Sequence, residues 1–208
     1  MSSWIPMESN PEFLHKLGVA KDWSVVDVYG LEPDLLALVP KPKTKNQALK
    51  KKMQTCRYFV KSTEYSFVFQ QTSYVVNCSI YFCSIDLQDG FLKTFLDEAK
   101  NLSYMECGKL LMESDGISIT HKDVAQEGQT EVPSDEIPVY HHFVALIHKN
   151  GVLYELDGRK SSPINHGTTS PETLLEDAAR VCKEYMARDP EEVCFTVLAL
   201  ANSDAGAL

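Results

Sequence analysis

The chain has 208 residues, 44% of them hydrophobic and 24% charged, which fits a globular protein with one domain over residues 1–208. A net charge of −9 argues against a nucleic-acid partner, and no apolar run reaches the roughly eighteen residues of a membrane span. Six cysteines without a CxxC pair or paired histidine spacing argue against a metal site, and no cofactor signature is present. The opening MSSWIPMESNPEF lacks the basic and apolar regions of a signal peptide, so free thiols in a reducing, cytoplasmic compartment are expected.

Residues 8–18 read as a short helix, with Asn10-Pro11 at its start and Gly18 at its end. Trp23 to Val28 alternates like a strand. Pro33 to Leu38 reads as a short helix stopped by Pro40. Lys41 to Lys61 carries eight basic residues and no acid, a charge run expected on a solvated loop or helix face. Tyr65 to Ile85 is rich in aromatic and β-branched residues and suggests buried strands. Phe91 to Leu111 has helical spacing, broken into two helices. Ile117 to Thr120 reads as a short strand, and His121 to Glu136 as a long polar loop of the kind that forms lids. Ser170-Pro171 is expected to cap a last helix whose Leu174, Leu175, Ala178, Cys182 and Tyr185 form a core stripe. Val193 to Leu200 should be a buried strand.

The segment Tyr140 to Gly167 carries the most chemistry. Phe143 to Ile147 and Val152 to Leu156 are β-prone runs joined by Asn150-Gly151, the pair favoured in a two-residue type I′ turn because both positions need positive φ. With that turn Lys149 pairs with Val152, Asp157 faces Val144, and His142 faces Arg159. His142 and Asp157 then share a face as diagonal neighbours, with Cβ atoms roughly 6–8 Å apart. A carboxylate so placed fixes the imidazole tautomer and stabilises its charged form, as in two-thirds of a nucleophilic triad. A structural hydrogen bond at a sheet edge would have the same geometry.

HHFVALIHKNGVLYELDGRKSSPINHG resembles the His–Asp region of the small, single-domain ubiquitin C-terminal hydrolases. EGQTEVPSDE is similar to that family's active-site crossover loop, and TSPETLLEDAARVCKEYMARDPEEVCFTVLALA to its closing helix and strand. WIPMESNPEFLHKLG and VVDVYGLEPDLLALVPKP are similar to its opening. The likeness covers about residues 4–42 and 86–202. It implies a papain-like cysteine hydrolase of α/β class, with a central antiparallel sheet between helices and a knotted backbone. The implied reaction is removal of small adducts from the terminal glycine of ubiquitin. His142 would be the general acid/base and Asp157 its orienting carboxylate. The crossover loop, about Asp123 to Glu136, would limit leaving groups to small or unfolded ones. The implied partner is ubiquitin or a ubiquitin-like modifier, and the implied state a monomer.

The chain departs from the family pattern over about residues 41–85. After Pro42, KTKNQALKKKMQTCRYFVKS stands where the family has a strand of the form AVLLLFP. The family's nucleophile motif, Q-x-x-x-N-A-C-G-T, has its nearest counterpart in Gln71 to Ser79, with Gln71 and Cys78 seven positions apart rather than six and Ser79 in place of glycine. Cys78 is the candidate nucleophile and Gln71 the candidate oxyanion donor. A thiolate needs a helix N-terminus or an adjacent cation, whereas VVNCSIYF reads as a buried strand in which a thiol is inert. Cys56, in the basic segment, is a weaker candidate. Cys83, Cys182 and Cys194 read as core residues, and Cys107 as a helix residue. Three outcomes follow: an active hydrolase, a ubiquitin-binding relative without a nucleophile, or a poorly folding chain with one replaced segment.

Overall fold

A computed structural model describes residues 11–39, 59–63, 87–127, 141–157, 159–192 and 195–202. They fall into two units, each drawn from two stretches of chain: Met1–Lys21 with Tyr65–Val139, and Asp22–Glu64 with Tyr140–Leu208.

In the first unit Pro11 opens α1 (Pro11–Lys16), and Gly18 turns the chain out of it at φ 104, a conformation that favours glycine. The N–H of Gly18 donates to His15 O and that of Val19 to Leu14 O. The expected pair of helices is present as α3 (Phe91–Ala99) and α4 (Tyr104–Met112). The break between them has a local cause. Ser103 and Glu106 form a capping box, in which the Ser103 backbone N–H donates to Glu106 Oε2 at 2.8 Å and the Glu106 N–H to Ser103 Oγ at 3.4 Å.

The next segment corrects two expectations. Asp115–Gln126 is one helix, α5, so Ile117 to Thr120 is not a strand and His121 to Gln126 is not loop. Ile117, Thr120 and Val124 recur at helical spacing and are buried, while Ile119 is exposed. Packing on a helical period overrides the β-preference of Ile-Ser-Ile-Thr. His121 meets Phe13 of α1 edge-on, with ring centroids 5.8 Å apart. The crossover loop therefore cannot begin at Asp123, and its remaining residues, 128–136, lie outside the described ones.

The second unit is α/β with antiparallel sheets, as expected. β1 (Trp23–Asp27) pairs with β6 (Leu198–Asn202) in one sheet. The other has the order β2 (Phe59–Thr63), β3 (His141–Lys149), β4 (Val152–Asp157), β5 (Ile164–Thr168), and β2 is also a neighbour of β6. The short helix α2 (Pro33–Leu36) starts at Pro33, as its sequence suggests. The end of the basic segment is strand rather than solvated loop or helix: Lys61 stands opposite Phe143. Pairing of Phe59–Thr63 with β3 also means that a strand occupies this edge, although none is legible after Pro42. Residues 40–58 and 64–86, through which the expected knot would be traced, lie outside the described residues.

Helix α6 (Leu174–Met186) packs on β2, β3 and β4. Its Leu174, Leu175, Ala178, Val181, Cys182 and Tyr185 meet Val144, Leu146 and Leu153 in the core, and all of the expected stripe is buried. The expected cap is displaced. The residue flanking α6 is Thr173, and Ser170 sits one turn earlier, exchanging bonds with it: Ser170 N–H to Thr173 Oγ1 at 3.1 Å and Thr173 N–H to Ser170 Oγ at 3.3 Å. The last strand also begins later than the apolar run, at Leu198. Val193 and Cys194 lie outside the described residues. Among the described residues, no helix is long and apolar enough to cross a membrane.

Candidate active site

The β3–β4 hairpin has the turn and register that its sequence demands. Asn150 has φ 51 and Gly151 φ 80, the two left-handed positions of a type I′ turn. Lys149 pairs with Val152, and Val144 with Asp157. His148 Nε2 accepts from the Gly151 N–H at 3.1 Å, and burial pushes its imidazole below its ordinary pKa, toward the neutral form that can accept.

Asp157 is 4% exposed and ends β4. Its Oδ1 accepts from the Arg159 backbone N–H at 2.9 Å. His142 lies on β3 two positions from Val144, the period of one sheet face, and its backbone pairs with Ser62 of β2. Its side chain lies outside the described ones. The expected pairing of His142 with Arg159 does not occur, because the β3–β4 ladder ends at Val144–Asp157 and the chain turns back on the Asp157 carboxylate instead.

Next to Asp157 is a charged cluster that sequence reasoning missed. Glu155, 1% exposed, accepts from three groups: Lys160 Nζ at 2.5 Å, Tyr185 Oη at 2.6 Å and His166 Nε2 at 2.7 Å. Lys160 Nζ also lies 3.2 Å from Tyr185 Oη and 3.7 Å from Asp157 Oδ2. Burial pushes the Glu155 carboxyl upward, but its bonds to Lys160, Tyr185 and His166 outweigh it and hold the group below the ordinary carboxylate value. Burial likewise works against the Lys160 ammonium, and its bonds to Glu155 and Tyr185 reverse the sign and raise it. The Tyr185 phenol is pushed up to about 12 by burial and by the adjacent carboxylate. The one available signal was Glu155 itself, an acid within the apolar run VLYELD.

Cys107 on α4 and Cys182 on α6 are fully buried free thiols. Burial raises both, Cys182 to about 12, which disfavours the thiolate form that a nucleophile needs. Cys56, Cys78, Cys83 and the proposed donor Gln71 lie outside the described residues, as does Cys194. Among the described residues, no three His, Cys, Asp or Glu side chains are grouped as metal ligands would be.

Comparison with known proteins places the chain in a family. The family model described as ubiquitin carboxyl-terminal hydrolase, family 1, matches residues 4–52 and 72–187. A Drosophila melanogaster ubiquitin carboxyl-terminal hydrolase is 42% identical over 96% of this chain and 98% of its own. The isozyme L1 of Rattus norvegicus is 36% identical over 95% and 98%. The catalytic domain of Trichinella spiralis UCH37, solved bound to ubiquitin vinyl methyl ester, superposes with a TM-score of 0.65 at 22% identity, covering 97% of this chain and 96% of that one.

Proposed function

The chain belongs to ubiquitin carboxyl-terminal hydrolase family 1, and we propose that it is a thiol-dependent deubiquitinase that releases small adducts from the C-terminal glycine of ubiquitin. The observation that carries this reading is the hairpin register. It sets a buried Asp157 opposite Val144, two positions along β3 from His142, as an orienting carboxylate and its histidine require. Cys78 is the proposed nucleophile. Cys107 and Cys182 are too buried to serve, and the family match resumes at residue 72, which includes Asn77 and Cys78. Gln71, one residue outside that match, is the proposed oxyanion donor.

In this mechanism the Cys78 thiolate attacks the carbonyl carbon of ubiquitin's terminal glycine, and Gln71 donates to the resulting oxyanion. Protonated His142 gives its proton to the leaving amine as the C–N bond breaks. The thioester is then opened by a water from which His142 takes a proton, releasing the thiolate and the ubiquitin C-terminal acid, which loses its remaining proton to solvent. Asp157 holds the ring in the required tautomer throughout. The enzyme acts as a monomer in the reducing cytoplasm, on ubiquitin or a related modifier.

A second reading, a ubiquitin-binding relative without hydrolase activity, is favoured by the break in the family match over residues 53–71 and by the altered Gln71–Cys78 spacing. One experiment separates the two. The full chain is reacted with ubiquitin bearing a C-terminal electrophile, and the modified cysteine is mapped by mass spectrometry. The hydrolase labels at Cys78, and His142→Ala abolishes the labelling. Ubiquitin binding without any labelling sinks the hydrolase and leaves the binder.

A further inference from the structure

Two carboxylates, Glu155 and Asp157, stand two residues apart on β4 and so on one face of the sheet, and both are almost completely buried. Like charges confined in this way repel, and a cation between them favours the ionised form of both. Lys160 is that cation. Its Nζ lies 2.5 Å from Glu155 Oε1 and 3.7 Å from Asp157 Oδ2, and the side chain is one-third exposed.

The ammonium is held from several sides. Lys160 follows β4 by three residues, and its backbone N–H donates to the Asp157 carbonyl at 3.0 Å, which closes a tight turn. Tyr185 of α6 donates to the same Glu155 oxygen as the lysine does, and its ring lies 5.7 Å from Nζ. His166 of β5 takes the other Glu155 oxygen. Arg188 stacks on the Tyr185 ring at 4.1 Å and Arg159 adjoins the turn, while on β3 His142 lies two positions from the residue paired with Asp157.

We propose that Lys160 is a positioning residue for the reaction: clamped by Glu155 and Tyr185, it keeps the Asp157 carboxylate ionised and aimed, so that Asp157 can orient His142. This rests on the reading of His142 and Asp157 as acid/base and orienter. The role is distinct from packing, because what the reaction draws from Lys160 is a charge beside Asp157. Arginine should therefore retain it and an isosteric apolar chain should not.

The test uses carboxyl-carbon NMR titration of Asp157 in the full chain, run beside the pH dependence of kcat/KM on ubiquitin carrying a C-terminal fluorogenic amide. Lys160→Met should raise the Asp157 midpoint, lower kcat at neutral pH by about tenfold, and move the acid limb of the rate profile to higher pH. Lys160→Arg should restore all three. Tyr185→Phe, which leaves the core filled while loosening the clamp, should give a smaller shift of the same sign, and it serves if Lys160→Met does not fold. An unmoved Asp157 midpoint in a folded Lys160→Met or Tyr185→Phe chain overturns the proposal, as does a rate loss equal at every pH. If the wild-type chain has no activity while the Asp157 midpoint still moves, it is the hydrolase reading that fails.

Discussion

Cys182 on α6 and Glu155 on β4 lie in adjoining layers of the second unit, 0% and 1% exposed, and their acid groups are driven in opposite directions. Burial pushes the thiol to about 12, against a weaker opposing backbone hydrogen bond. The carboxyl feels the same desolvation, yet Lys160, Tyr185 and His166 hold it below its ordinary value. Depth alone therefore does not decide whether a buried acid is charged. The partners within hydrogen-bond reach decide it, and in this fold they are gathered at the end of the hairpin that carries Asp157.

The comparison breaks most severely if a carboxylate is placed at the thiol's position. Cys182→Asp has none of Glu155's partners to offset desolvation and should cost about 5 kcal/mol, enough to unfold a marginal domain, read from urea unfolding. Stripping the partners of their carboxylate comes next. Glu155→Ala leaves Lys160 and Tyr185 around an uncompensated site and should cost about 3–5 kcal/mol at neutral pH.

Because the folded Glu155 pKa is depressed, the wild-type contribution is present above the unfolded carboxylate pKa and is lost as pH falls through the folded value. The difference between wild type and Glu155→Ala should therefore shrink toward acid pH, and a difference independent of pH would show that Glu155 acts by packing alone. The smallest effect concerns the turn. Gly151→Ala has open space for its Cβ but must hold φ at 80, and should lower the melting midpoint by the equivalent of about 1 kcal/mol.

Much of the architecture was legible because local chemistry and tertiary packing agree there. Asn150-Gly151 admits one turn type, and that turn dictates the pairing of Asp157 with Val144. The α6 stripe at helical spacing predicts its buried face. Expected and observed elements differ where local preference and packing disagree. Ile117 to Thr120 prefers extended backbone in isolation, yet Ile117, Thr120 and Val124 bury together only on a helix. Phe59 to Lys61 ends a basic run that suggests solvent, yet β3 offers an open edge for it to pair with.

By itself, the amino-acid sequence determined the family, the hairpin register and the placement of His142 and Asp157 along it, because turn type and strand alternation are rules over adjacent residues. Only the tertiary structure decided that Glu155 is buried and that Lys160 lies between two carboxylates. The distances that set those charges run between β4, β5 and α6, and bonds such as Tyr185 to Glu155 join residues thirty positions apart that no local pattern brings together.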